Sequence, residues 1–141
     1  TDDENAGFTD GTPWLAMNPN YRQINVREQE ARTDSVLAYY RRLVHLRKAD
    51  AYRETFTYGI FEPAYQEMAD VFAYYRVSGE SGQRILVAAN FGTDAVSLTL
   101  AYPCRQVLLS NLRAESAVET ACEKANALTL GSCEVAVIEL G

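Results

Sequence analysis

Acidic side chains are the first residues of this sequence that could do chemistry, because two opposed carboxylates can carry out acid/base hydrolysis. Glu28, Glu30 and Asp34 lie close together, and Glu67 and Asp70 form a second group farther along. Such catalysis requires one carboxyl group in an apolar pocket that raises its pKa, opposite a second carboxylate. Polar residues surround both groups, so we predict that these carboxylates are solvated and that none of them is catalytic.

Nucleophilic and metal chemistry have fewer candidates. His45 is the only histidine, and it lies among arginines on a predicted helix, which favours a surface role over that of a general base. Cys104, Cys122 and Cys133 are odd in number and widely spaced, without a CxxC pair. We therefore predict that the cysteines are small buried or loop residues, and we predict neither a metal nor a cofactor.

Composition limits the possible partners. The chain of 141 residues is 48% hydrophobic and 23% charged, which is typical of a globular protein. Its 13 basic and 19 acidic residues give a net charge of -6, which disfavours nucleic acid and an anionic membrane surface. No apolar run approaches the ~20 residues that span a bilayer, and no signal peptide is visible. These features predict a cytoplasmic protein.

One amphipathic helix stands out in "TDSVLAYYRRLVHLRKA". Thr33 or Asp34 is the predicted N-cap, and a shorter helical turn is predicted at about 26–31. Apolar residues recur with helical spacing and form a stripe on one face: Val36, Leu37, Tyr40, Leu43 and Val44. A stripe of this kind requires an apolar surface to cover it.

After Asp50 the apolar spacing changes from helical to alternating. Short β-branched or aromatic runs with turn signals between them predict seven strands in an antiparallel β-sandwich. The runs are "TFTYGIF", "VFAYYRVS", "RILVAANF", "AVSLTL", "QVLLS", "NALTL" and "EVAVIEL". The stretch "RAESAVETACEKA" is predicted to be a loop or a short helix.

The segment "PWLAMNPNYRQIN" carries Trp14, Met17 and Tyr21 with neither helical nor strand spacing. Buried aromatic side chains contribute strongly to stability, so a loop that contains them is expected to lie against another surface. Together with the helix stripe, this loop predicts that residues 1–50 do not form a domain by themselves.

Two longer segments, "NAGFTDGTPWLAMNPNYRQINVREQ" and "DSVLAYYRRLVHLRKA", identify a family resemblance. They resemble, in the same order, the region after the last barrel strand of alpha-amylase family glycoside hydrolases. The similar branch contains oligo-1,6-glucosidase, dextran glucosidase, trehalose-6-phosphate hydrolase and sucrose isomerase. The stretches "VFAYYR" and "LVAANF" are similar to the first strands of that family's C-terminal β-sandwich.

The resemblance implies a mainly β fold, in which a β-sandwich follows the last loop and helix of a (β/α)8 barrel. Residues 1–50 would then be the end of the catalytic barrel, and residues 51–141 the C-terminal domain. The family's catalytic carboxylates precede this region, so the chain alone is predicted to be inactive. Asn5 and Phe8 would lie at the rim of the active site of the whole enzyme, near bound substrate.

Two other functions stay open. Phe72, Tyr74 and Tyr58 could form a sugar-stacking platform on one sheet face, with Tyr75 on the other, as in a carbohydrate-binding module. The chain could also be a protein-interaction module. In the accessory-domain interpretation its partner is the missing N-terminal barrel, oligosaccharide contacts it only through the whole enzyme, and the uncovered helix stripe predicts self-association.

Overall fold

The chain divides into two compact units in a computed structural model that describes residues 1–113 and 126–141. The first unit is Thr1–Val44 and the second is His45–Gly141. The predicted loop or short helix over 113–125 lies almost wholly outside the described residues, as does Cys122.

The second unit contains two antiparallel sheets. One has five strands in the order β1-β2-β3-β7-β5, and the other pairs β4 with β6. The strands are β1 (Ile60–Ala64), β2 (Val71–Val77), β3 (Arg84–Asn90), β4 (Val96–Thr99), β5 (Cys104–Ser110), β6 (Ala127–Leu130) and β7 (Val135–Leu140). The predicted β-sandwich is confirmed.

The core of the sandwich lies between the two sheets. On the five-stranded sheet, Ala73 is opposite Ala88 and Ala88 is opposite Ala136, all of them buried. Small side chains in this row leave room for the leucines of the small sheet, such as Leu98 and Leu128. The alternation of apolar and polar residues in "AVSLTL" therefore corresponds to one buried and one exposed face of β4, as predicted.

One predicted strand is wrong. "TFTYGIF" was predicted to be extended, but α3 (Arg53–Tyr58) is helical and β1 begins only at Ile60. The guanidinium of Arg76 on β2 donates hydrogen bonds to the carbonyls of Thr55 and Phe56, which lie in the last turn of this helix. Tertiary contacts of this kind override the β-propensity of threonine and the aromatic residues.

Gly59 ends α3 in a position that has no room for a side chain. A β-carbon there would lie 2.4 Å from the backbone oxygen of Thr55 and 3.0 Å from that of Val77. Gly59→Ala is expected to lower the free energy of unfolding by about 1–3 kcal/mol, because backbone atoms must shift. Urea denaturation followed by circular dichroism measures the loss. Gly79→Ala is the control, since a β-carbon at Gly79 meets nothing within 4 Å; equal losses would contradict the steric argument.

The first unit contains a short 3-10 segment (Glu4–Gly7), α1 (Val26–Glu30) and the start of α2 (Val36–Lys48). The predicted N-cap of α2, Thr33 or Asp34, is wrong. Ser35 caps this helix, because its Oγ accepts a hydrogen bond from the Ala38 amide at 3.1 Å. The carboxylate of Asp34 is instead bonded to the guanidinium of Arg32 at 3.0 Å.

The first unit has no apolar core of its own. Ser35 is its only buried residue, whereas Trp14 is 91% exposed and Val36 is 78% exposed. In the predicted helix stripe, Tyr40 is also exposed and Leu43 is half-buried. Apolar side chains left in water forgo the stabilisation that burial would provide.

The structure pairs Cys104, which the sequence did not indicate. This residue, the first of β5, is disulfide-bonded, while Cys133 is free and exposed. Cysteine spacing in the sequence does not show which residues the strand order brings together.

Candidate functional site

The predicted rim residues Asn5 and Phe8 lie in one turn of the first unit. The side-chain amide of Asn5 donates hydrogen bonds to the carbonyls of Thr9 and Gly11, at 3.0 and 3.1 Å. Asn5 has a positive φ of 54°, a conformation that asparagine adopts more readily than most residues. Asn5 therefore shapes this loop, and the Phe8 ring is 82% exposed beside it.

The carboxylates of the first unit do not form an acid/base pair. Glu30 is bonded to Arg41 at 2.6 Å, and Asp34 to Arg32, all with exposed side chains. The hydrogen bond from the Arg32 guanidinium lowers the pKa of Asp34, which is the opposite of what a general acid requires. Glu28 accepts a hydrogen bond from none of these arginines and is exposed, as predicted.

Glu139, on β7, is one of two buried carboxylates among the described residues. It accepts hydrogen bonds from Gln83 at 3.0 Å, from Gln106 at 2.8 Å and from the Tyr52 hydroxyl at 3.3 Å. Burial alone would raise the pKa of this carboxyl group, but the hydrogen bonds outweigh burial and the pKa is lowered. The Thr55 hydroxyl extends the network by donating to the side-chain oxygen of Gln83. Glu139 thus attaches α3, and Tyr52 directly before it, to the sheet.

Glu134, just before β7, is the second buried carboxylate and is 4% exposed. One of its oxygens is 2.6 Å from Nε of Arg113 and accepts the Ser110 hydroxyl at 2.8 Å. Its other oxygen accepts the Gly131 amide at 2.8 Å. Burial would raise the pKa of Glu134, but the Arg113 bond and the other donors lower it below its ordinary value.

These two carboxylates cannot act together on one bond. They are five residues apart along an extended segment, which places them about 16 Å apart, whereas a retaining glycosidase needs about 5 Å. Each is fully engaged with donors, and each has a lowered pKa. Their arrangement indicates structural roles.

The lowered pKa values predict the pH dependence of stability. A carboxyl group whose pKa is lower in the folded than in the unfolded state stabilises the fold above its unfolded pKa. That contribution disappears as the pH falls through the folded value. The free energy of unfolding should therefore be flat near neutral pH and fall below about pH 4.5, the ordinary value of Glu134 and Glu139. Urea midpoints measured from pH 3 to pH 7 test this.

Glu139→Gln should flatten the acid limb of that curve, because one of the linked protons is removed. Glu67→Gln, at an exposed position, is the control and should follow the unchanged protein. An acid limb of the same slope in all three proteins would contradict the assignment.

Aromatic residues cluster on the face of the five-stranded sheet that points away from the core. The ring of Tyr74 lies 4.9 Å from Phe61 and 5.8 Å from Phe72, centroid to centroid. Tyr75 packs on the core side, so the predicted opposition of Tyr74 and Tyr75 is confirmed. Tyr58 belongs to α3 rather than to a strand. Sequence reasoning missed Phe61, because only the β1–β2 register places it beside Tyr74.

An open depression of about 290 Å³ lies at the end of β3, lined by residues that include Asp70, Thr93 and Asp94. The Asn90 amide at its edge is fully used, donating to the Asp94 and Gly131 carbonyls at 2.8 Å. Among the described residues, no three metal-ligating side chains come together. No helix within 1–113 or 126–141 has the length and apolar character needed to cross a membrane.

Comparisons with known proteins point to sugar-cleaving enzymes. Residues 1–59 match the family described as "Alpha amylase, catalytic domain". The chain is 38% identical over 116 residues to glucan 1,6-alpha-glucosidase of Streptococcus pneumoniae, covering 82% of this chain and 21% of the relative. It is 40% identical over 94 residues to oligo-1,6-glucosidase of Bacillus cereus, covering 66% and 16% respectively.

A solved structure covers the whole chain. Isomaltulose synthase from Klebsiella sp. LX3 matches with a TM-score of 0.84 and 32% identity, over 100% of this chain and 24% of that one. The chain thus spans only a minor part, 16–24%, of the proteins it matches.

Proposed function

This chain belongs to the alpha-amylase family of glycoside hydrolases and matches the C-terminal part of its relatives. We propose that it is the C-terminal part of a retaining alpha-glucosidase. The whole enzyme would act on alpha-glucosidic oligosaccharides with a nucleophile and an acid/base carboxylate. Those two carboxylates would come from the preceding catalytic domain. This chain would supply the end of that domain and a β-sandwich that stabilises it.

The absence of an apolar core in Thr1–Val44 is the observation that carries this proposal. A segment with Trp14, Phe8 and Val36 all more than three-quarters exposed cannot be stable by burial of its own side chains. The match of residues 1–59 to a catalytic domain supports the proposal that the missing surface belongs to that domain. Residues 1–50 would be the last loop and helix of the (β/α)8 barrel, with the helix stripe against the strands.

Residues 51–141 would then be the accessory domain. This part has its own core between two sheets, which supports a separate domain. Because active-site loops of such barrels lie at the end where each strand finishes, Asn5 and Phe8 would contact substrate at the rim. The exposed Phe8 ring supports this role, while Asn5 would hold the loop in shape.

A carbohydrate-binding module is the second candidate, favoured by the exposed rings of Phe61 and Phe72. Their geometry argues against it. Phe61 is tilted by 31° and Phe72 by 63° relative to Tyr74, so the three rings do not form a flat stacking surface.

One observation argues against the predicted cytoplasmic location. Cys104 is disulfide-bonded, and disulfides are rare in the reducing cytoplasm.

The test uses the whole enzyme, which is the longer polypeptide that would contain this chain at its C-terminal end. A version that ends at residue 50 should inactivate at a lower temperature than one that ends at Gly141, with isomaltose hydrolysis as the readout. Equal inactivation midpoints, together with isomaltotriose binding by the chain alone, would replace the accessory role with that of a binding module. A gene that encodes nothing upstream of Thr1 would overturn the proposal altogether.

A further inference from the structure

The loop over residues 1–11, called the rim loop below, holds Phe8 through a short series of backbone hydrogen bonds. The Phe8 amide donates to the carbonyl of Asn5 at 3.1 Å, and the Ala6 amide donates to the carbonyl of Asp3 at 3.0 Å. Asp3 is therefore the first residue of the bonded turn that presents the exposed Phe8 ring. A side chain that fixes Asp3 also fixes this turn.

Two arginines bond the rim loop to the rest of the first unit. Nη1 of Arg27 lies 2.7 Å from Oδ1 of Asp2, and Nη2 lies 2.8 Å from Oδ2 of Asp3. Arg22 adds a longer hydrogen bond, 3.5 Å, to the carbonyl of Asp2. A guanidinium that bonds two carboxylates with its two ends fixes their orientation as well as their distance. It also screens the repulsion between the two adjacent negative charges.

The helix that carries Arg27 is itself fixed. Arg27 lies in α1, and Gln29 of the same helix makes two bonds to the start of α2. Its carbonyl accepts the Ser35 hydroxyl at 2.7 Å, and its side-chain oxygen accepts the Leu37 amide at 2.9 Å. Arg27 therefore connects the rim loop to a bonded pair of helices.

Resting on the proposed function, in which Phe8 contacts substrate at the rim, we propose that Arg27 is a positioning residue for substrate binding. Arg27 holds Asp3 and thereby the turn that carries the Phe8 ring. It acts through the rim loop and does not touch the substrate. Loss of such positioning weakens contacts that the substrate makes equally in the ground state and in the transition state, so it raises KM and leaves kcat unchanged.

The test is Arg27→Gln in the whole enzyme, with isomaltose as substrate. KM should rise about two- to fivefold, while kcat and the midpoint of thermal inactivation stay unchanged. Arg27→Lys keeps the charge but cannot bond both carboxylates in the same way, so it should recover only part of the loss. A lower inactivation midpoint with equal losses of kcat and kcat/KM would show a purely structural role and overturn the proposal.

Arg41→Gln is the matched control. The Arg41 side chain is 59% exposed against 57% for Arg27, and it also pairs with a carboxylate, that of Glu30 at 2.6 Å. Its partner lies in α1 and not in the rim loop, so this change should leave KM for isomaltose unchanged. An equal rise of KM in both variants would overturn the proposal.

A double variant shows whether Arg27 acts through Phe8. Phe8→Ala should raise KM roughly tenfold. Adding Arg27→Gln to Phe8→Ala should raise KM no further, because the ring that Arg27 positions is already absent. Effects that multiply would overturn the proposal. If the whole enzyme hydrolyses isomaltose and Arg27→Gln leaves KM unchanged, the role of Arg27 is wrong and the proposed function stands; a whole enzyme without hydrolysis would refute the proposed function itself.

Discussion

Replacing Glu134 with alanine is expected to lower the free energy of unfolding by about 3 kcal/mol, a large part of the 5–15 kcal/mol typical of a domain. Glu134 is almost fully buried and holds Arg113, the Ser110 hydroxyl and the Gly131 amide at once. Its removal leaves the mostly buried guanidinium without its carboxylate and two further donors without their acceptor. Unsatisfied buried groups of this kind cost more than the lost attraction itself.

Urea denaturation at pH 7 measures the effect of Glu134→Ala, and Glu62→Ala is its control. Glu62 also pairs with an arginine, Arg84, but at 3.4 Å and with a half-exposed side chain. Glu62→Ala should lower the free energy of unfolding by less than about 1 kcal/mol. If the two alanine variants lose the same stability, the buried Glu134 cluster stabilises the fold no more than the half-exposed pair of Glu62 and Arg84 does.

Strands with clean alternation could be predicted from the sequence, since six of the seven predicted runs lie mainly within a strand and the seventh shares only Ile60 and Phe61 with β1. Each run buries one face against the core, so its spacing carries the information, as in Leu98 and Leu100. The exception, at 55–61, depends on contacts with a distant strand. Only the position of Arg76, twenty-one residues beyond Thr55, shows why that segment is helical.

The buried polar clusters could not be predicted for a related reason. In "EVAVIEL" the two glutamates look like exposed ends of a strand, yet both are buried. Their partners come from other strands and loops, Gln106 and Gln83 for Glu139 and Arg113 for Glu134. Sequence spacing does not reveal such pairings. The family, in contrast, could be identified, because the segment from Asn5 to Lys48 resembles it over a long continuous stretch.

The chain alone is expected to show no hydrolysis of isomaltose, dextran, sucrose or trehalose 6-phosphate above a buffer blank. Glycosidases accelerate these reactions by at least ~10⁶-fold, which requires a nucleophile and an acid with a raised pKa about 5 Å apart. Among the described residues, the carboxylates are exposed, half-buried at Glu54, or buried with a lowered pKa at Glu134 and Glu139. A lowered pKa keeps a carboxyl group ionised, so it has no proton to donate to a leaving group.

Release of glucose, measured over a day at a high protein concentration, tests this expectation. Oligo-1,6-glucosidase of Bacillus cereus, at the same molar concentration, is the positive control for the substrates and the assay. Because Glu134 and Glu139 are the buried carboxylates of the described chain, Glu134→Gln and Glu139→Gln distinguish contamination from activity. Turnover that appears with the purified chain and falls in one of these variants, while that variant remains folded, would show that the chain carries its own catalytic site.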